Sequence, residues 1–221
     1  MINITDINKD DMITLEEANE ILAYAKRIYP GQLSGITIKE GRPFAFYHEP
    51  GKKWYITIPE FIDDVEEFDK VSENIISHIN KEFNSNIAHT MKAKSINALC
   101  HEIGHAVDRA NSLVCNPYYD DILDEQYDDF YSYANKLYNY LYEIEPDVWM
   151  ERDDFDTDEE WEDWQKYCDD YNKEYQDTME ELDHEYRVIP AEYTADKFSV
   201  DFMNTYLRYI PELFEDSDDI E

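Results

Sequence analysis

The sequence predicts an α+β fold with an inserted helical hairpin, on three observations. Alternating, β-branched and aromatic residues are confined to 36–58, whereas helical spacing of apolar residues runs through most of the rest. Two helical segments far apart, around 94–109 and 191–209, carry the polar residues that stand out chemically. The charge is also uneven: residues 118–186 hold 26 acids and 4 bases, a net −22, within a chain of 221 residues and net charge −34. The organisation expected is a loop and helix over 1–35 and a main domain over 36–221. An acidic helical hairpin, 118–186, is set into that domain.

Composition excludes several functions. A net charge of −34 offers no cationic face for phosphates, so nucleic acid is not an expected partner. The same charge disfavours an anionic membrane surface, and no apolar run is long enough to span a bilayer. No basic start followed by an apolar stretch marks residues 1–30 as a secretory signal. Cys100, Cys115 and Cys168 are odd in number and lack C-x-x-C spacing. Reduced thiols and a cytoplasmic location are therefore the expectation. Apolar residues make up 43%, enough for a core despite the acidity. Oligomeric state is not set by these features.

The first element is a loop, Asp6 to Glu17, that resembles an EF-hand calcium loop. Oxygen ligands are expected at its positions 1, 3, 5, 7, 9 and 12. Asp6, Asn8, Asp10, the Met12 carbonyl, Thr14 and Glu17 occupy them, Ile13 takes the apolar eighth position, and Asp11 stands where glycine is usual. The resemblance implies Ca²⁺ and a structural role in pinning the N-terminus. A capping box, Thr14 with Glu17, is the other reading of the same residues, and both can hold together.

A helix follows over 14–29, stopped by Pro30-Gly31. Strands are expected over 36–46 and 54–58 around a Pro50-Gly51 turn. Helices are expected over 71–83 and 94–109, the latter with Ile96, Leu99, Ile103 and Val107 on its apolar side. In the hairpin, Leu123, Tyr127, Phe130, Ala134, Leu137 and Leu141 form one seam, and Trp161, Trp164, Cys168, Tyr171 and Tyr175 the other. Thr157 and Glu160 make a capping box at the start of the second arm. The hairpin reads as a solvated acidic pair that packs, as a lid or docking surface for a cationic partner, or as a DNA mimic. Pro190 opens the last helix, 191–209, and an acidic tail over 212–221 is expected to fray.

Residues 101–105 read H-E-x-x-H. Helical spacing i, i+4 puts His101 and His105 one turn apart on one face, where both can ligate one tetrahedral ion. Glu102 lies beside the first ligand, within reach of a water on the ion. A catalytic zinc site needs a third protein ligand and leaves the fourth position to water. Downstream, Pro190-Ala191-Glu192-Tyr193-Thr194-Ala195-Asp196 offers Glu192 as that ligand. Asp196, one turn on, can accept the free N–H of His101 and fix its tautomer.

HEIGHAVD followed by PAEYTAD resembles the gluzincin branch of zinc metallopeptidases. It is similar to the small single-domain type of phage and bacterial genomes and to lethal-factor-like catalytic domains. The resemblance covers about 94–110 and 187–203, with a weak match of the 36–58 strands, and leaves 118–186 uncovered. It implies a zincin-like catalytic domain with a small sheet packed on the active-site helix. It implies zinc held by His101, His105 and Glu192, with Glu102 as general base and Asp196 behind a ligand. It also implies a donor to the oxyanion shortly before the glutamate, Tyr186 or His184. The activity implied is a zinc-dependent endopeptidase, with a peptide adding to an edge strand within 53–58; the acidic environment favours a cationic or extended substrate. The reading from another class is a non-catalytic acidic binding protein that docks a basic partner through the 118–186 hairpin.

Overall fold

The computed structural model describes residues 11–41, 44–48, 54–59, 62–146 and 150–215. Among these are six α-helices and one three-stranded mixed sheet. No helix among them is long and apolar enough to cross a membrane. The chain forms two compact units, one of residues 1–120 with 191–221 and one of residues 121–190.

In the first unit, helix α1 (Leu15–Ile28) starts from a complete capping box in which Thr14 and Glu17 satisfy each other's backbone amides. Ala18, Ile21, Leu22 and Ala25 form its buried stripe, which packs on β1 and α3. The extended run expected over 36–46 is two strands, β1 (Thr37–Glu40) and β2 (Ala45–His48). Pro43, between them in sequence, has no amide to donate to a ladder. Strand β3 (Trp54–Ile58) pairs parallel to β1 and antiparallel to β2, in the order β1-β3-β2. The expected substrate edge over 53–58 is thereby corrected. Both sides of β3 are engaged, Ile56 opposite Ile38 on one and Phe46 on the other, and the outer edges belong to β1 and β2.

Helix α2 spans Ile62–Phe83, starting nine residues before the apolar spacing that marked its C-terminal half. Helix α3 (Met91–Cys115) is capped by Thr90, whose hydroxyl accepts the Ala93 amide. Its first turn buries two lysines. Lys94 donates to Asp69 at 2.9 Å and to Glu73 on α2, and Lys92 reaches back to Glu17 of α1. Burial opposes the Lys94 charge, but the Glu73 and Asp69 carboxylates outweigh it and raise its pKa above the ordinary value. Farther along, the Arg109 guanidinium lies 3.9 Å over the Trp54 ring, which stacks on Phe46, so α3 is fastened to β3 and β2.

The last helix, α6 (Pro190–Phe202), is shorter than the 191–209 expected, because Met203–Leu207 continues as a π-helical turn. The fraying expected over 212–221 is not found at 212–215. Pro211–Leu213 forms a 3₁₀ turn, Leu213 is fully buried, and Phe214 bridges to Ile87. Residues 216–221 lie outside the described residues. The core of this unit gathers Ile21, Ile56, Ile76, Ile96, Leu99, Ile103, Phe202 and Met203 between the sheet and the helices.

The second unit is a hairpin of helix α4 (Tyr119–Ile144), from Asp121 on, and helix α5 (Asp158–Arg187). Thr157 and Glu160 form the expected capping box at the start of α5. Ala134 and Leu141 are buried on α4, Thr178 and Leu182 on α5, and Phe130 and Tyr127 meet the Tyr186 ring. Tyr175, expected in the seam, is exposed, while Thr178 and Leu182, three and seven residues farther along the same face of α5, are buried. At the other end Phe155, Trp161 and Trp164 cluster, and the Tyr167 hydroxyl donates to the Ile144 carbonyl at 2.5 Å.

Candidate metal centre

Helices α3 and α6 cross in contact, and the crossing depends on a missing side chain. A Cβ on Gly104 would lie 3.0 Å from the Ala195 Cα and 3.1 Å from the Ala195 carbonyl oxygen. Only glycine lets the two backbones approach so closely. Along the same pair of helices, Asn97 donates to Ser199 at 2.9 Å, and Ser199 donates to the Asp196 carbonyl at 2.7 Å. Beside them lie His101 and His105 of α3 and Glu192 and Asp196 of α6. Sequence reasoning found the last four and missed Gly104, Asn97 and Ser199. The signal for Gly104 was a glycine inside a helical pattern, which marks close approach.

One ligand atom each from His101, His105 and Glu192 can be chosen so that all lie within 4.8 Å of one another. His101 Nε2 is 3.1 Å from Glu192 Oε2 and 3.0 Å from His105 Nε2, and His105 Nε2 is 3.4 Å from Glu192 Oε1. A tetrahedral zinc ion with bonds of about 2.0–2.1 Å separates its ligand atoms by roughly 3.3 Å. The donor set, two imidazole nitrogens and one carboxylate, could hold a metal ion, and such a set fits zinc. Asp196 Oδ1 lies 2.7 Å from His101 Nδ1 and accepts a hydrogen bond from its N–H.

That bond raises a question of proton count. A neutral His101 with its proton on Nδ1 would turn the Nε2 lone pair towards both a carboxylate and another ring nitrogen. A proton on one of these groups, or a metal ion among them, relieves those contacts. Burial works against the His101 charge, yet the Asp196 and Glu192 hydrogen bonds outweigh it and push its pKa up to about 10. Burial likewise opposes the Glu192 charge, and hydrogen bonds with His101 and His105 hold that carboxyl far below the usual range. Glu192 is 2% exposed, so its charge is met by these partners rather than by water. Glu102 is half-buried on α3, and its charge adds to the field that favours the His101 cation.

Tyr186 and His184 stand in the last turn of α5, in the second unit. Tyr186 packs on Tyr127 and Phe130, with the Arg187 guanidinium 5.6 Å from its ring centre, and the His184 carbonyl accepts the Val188 amide at 3.1 Å. For the calcium loop, Asp6, Asn8 and Asp10 lie outside the described residues. The other three expected ligands are engaged with protein groups. Lys92 donates to the Met12 carbonyl and to Glu17 Oε2, each at 2.9 Å, and the same Glu17 oxygen accepts the Thr14 amide at 2.8 Å. Burial would raise the Glu17 pKa, but the Thr14 and Lys92 hydrogen bonds lower it below the ordinary value. A buried ammonium thus holds two of the oxygens a calcium ion would use. The adjoining Ile13 amide donates to Ser95 at 2.8 Å, which seats the segment on α3.

No family model, curated protein or solved structure matches this chain.

Proposed function

We propose that the chain is a zinc-dependent endopeptidase whose ion is held by His101, His105 and Glu192. The observation that carries this reading is the convergence of those three groups from two helices, with Asp196 on the remaining nitrogen of His101. When bound, zinc would supply a Lewis acid for the scissile carbonyl and lower the pKa of its water towards ~7. Glu102, next to His101 and on the same helix, takes the proton of the attacking water and passes it to the leaving amine. Asp196 keeps the His101 proton on Nδ1, so that Nε2 faces the ion. Gly104 keeps the second helix close enough for Glu192 to complete the set. The oxyanion donor implied by the gluzincin resemblance, Tyr186 or His184, receives no step in this mechanism.

The substrate would lie as an added strand. With β3 paired on both sides, the outer edge of β2 is the proposed site, because α3 packs against β2 and the ligand helix is then adjacent. The acidic character of the chain favours a cationic or extended peptide. Replacing Glu102 with Gln tests the proposal. Cleavage of a fluorogenic peptide library should fall by at least about 100-fold, while bound zinc stays at the wild-type level. Cleavage that persists in Glu102→Gln would refute the assigned base, and a wild-type chain that binds zinc yet cleaves nothing would refute the activity.

A further inference from the structure

We propose that α4 carries a docking stripe for a Lys/Arg-rich polypeptide segment. The stripe does not depend on the metal reading. Asp121, Asp124, Asp128, Tyr131, Tyr138 and Tyr142 recur at spacings of three, four and seven, so they lie along one face of a single helix. All six are exposed, and the tyrosines are 55%, 50% and 78% open to solvent. At about 1.5 Å per residue the face is roughly 32 Å long. It is not the seam of the hairpin, which runs through Ala134 and Leu141 on another side of the helix.

Two features separate this face from an ordinary solvated one. A solvated helix usually mixes acids with bases at i, i+4. The only base of α4 is Lys136, which lies roughly 120° round from the stripe's centre at 3.6 residues per turn. The stripe is therefore carboxylates, tyrosine rings and Asn135, with no cation supplied by α4 itself. The first unit covers such rings with internal cations: Lys39 lies 3.6 Å over Tyr55, Arg27 4.9 Å over Tyr24, and Arg109 3.9 Å over Trp54. The stripe presents carboxylates over 121–128 and exposed tyrosine rings beyond them, the Tyr131 ring resting on Tyr127 and Phe130, and leaves the cation to a partner. Lysine and arginine fit both parts, with the charged head against the carboxylates and the head or stem over the rings. The surrounding unit has net charge −20, from 25 acids and 5 bases in 121–190, and steers the same partner at longer range. A phosphate-bearing partner is excluded by the same charge. An extended segment of about nine or ten residues spans the stripe.

The test uses the full chain carrying Glu102→Gln, so that cleavage cannot contribute to the signal. A labelled ten-residue Lys/Arg peptide and its counterpart with Gln at every cationic position are titrated by fluorescence anisotropy. The cationic peptide should bind and the Gln peptide should not, and affinity should fall steeply between about 0.05 and 0.3 M salt. The triple substitution Tyr131→Gln, Tyr138→Gln and Tyr142→Gln leaves the charge unchanged and should weaken binding by about tenfold or more. Tyr118→Gln, exposed but outside the stripe, should leave binding unchanged. Because all four positions are exposed, helical circular dichroism should be retained in every variant. Failure to bind the cationic peptide, or equal binding by the triple variant, would overturn the proposal. The latter result would mean that diffuse acidity alone captures cations.

Discussion

At the scale of single residues, the account turns on how His101 is held. Its Nδ1–Asp196 bond of 2.7 Å fixes which nitrogen faces the cluster. Removing such a partner of a ligand histidine typically lowers metal affinity by about 10–100-fold. Asp196→Asn should therefore weaken zinc by that factor in a competition titration with a fluorescent chelator, without unfolding the chain. Unchanged affinity would mean that Asp196 does not orient the ligand.

Proton and metal compete for the same place. The His101 pKa is pushed up from 6.5 to about 10 in the metal-free chain. A raised pKa stabilises the fold fully below about 6.5, and that contribution is lost as pH rises through about 10. Zinc uptake near neutral pH must then displace a proton, so apparent affinity should rise about tenfold per pH unit between about 6.5 and 8.5. The same competition titration, repeated across that interval, measures the slope. A flat profile would show that His101 is already neutral before the metal arrives.

At the scale of elements, the crossing of α3 and α6 decides whether three ligands meet. Gly104→Ala places a methyl group against the Ala195 backbone at 3.0 Å, and a helix backbone cannot rotate aside as a side chain can. The helices must separate, at a cost of about 1–3 kcal/mol by the usual measure of overpacking. The expected result is a lower melting temperature together with weaker zinc binding. A variant with weaker stability and wild-type zinc affinity would place the crossing outside the site's geometry.

The helices were legible because their signals are local. Thr14 with Glu17 and Thr157 with Glu160 announce two starts through capping boxes, and both boxes form. The two motif helices were found from polar spacing, and the structure brings His101, His105, Glu192 and Asp196 together. The sheet was legible only as extended chain. Which strand lies in the centre depends on pairing between 37–40 and 55–58, and no periodicity within a strand encodes its neighbours. For the same reason β3 was misread as an edge. The contribution of Gly104 was hidden because its reason lies on another helix. Lys92 was hidden because a lysine in a helix's first turn gives no sign of which distant carbonyl it will hold.

At the scale of the molecule, the chain divides into two units. One unit holds the candidate metal centre in a core of helices against a small sheet; the other is an acidic, tyrosine-bearing hairpin. The N-terminal segment is fastened by the Lys92 ammonium to Met12 and Glu17. Its attachment therefore needs no added cation for those contacts. Zinc should raise the melting temperature of the whole chain, as any ligand selective for the folded state does, whereas millimolar calcium should leave it unchanged. A calcium-dependent rise of several degrees would support the EF-hand reading of the loop.

The most direct measurement is the zinc content of purified chain, by elemental analysis after dialysis against metal-free buffer. The wild type and Glu102→Gln should each hold about one ion per chain, and His105→Ala and Glu192→Gln should lose it. A wild-type chain without zinc, or an ion that survives both ligand substitutions, would contradict the account.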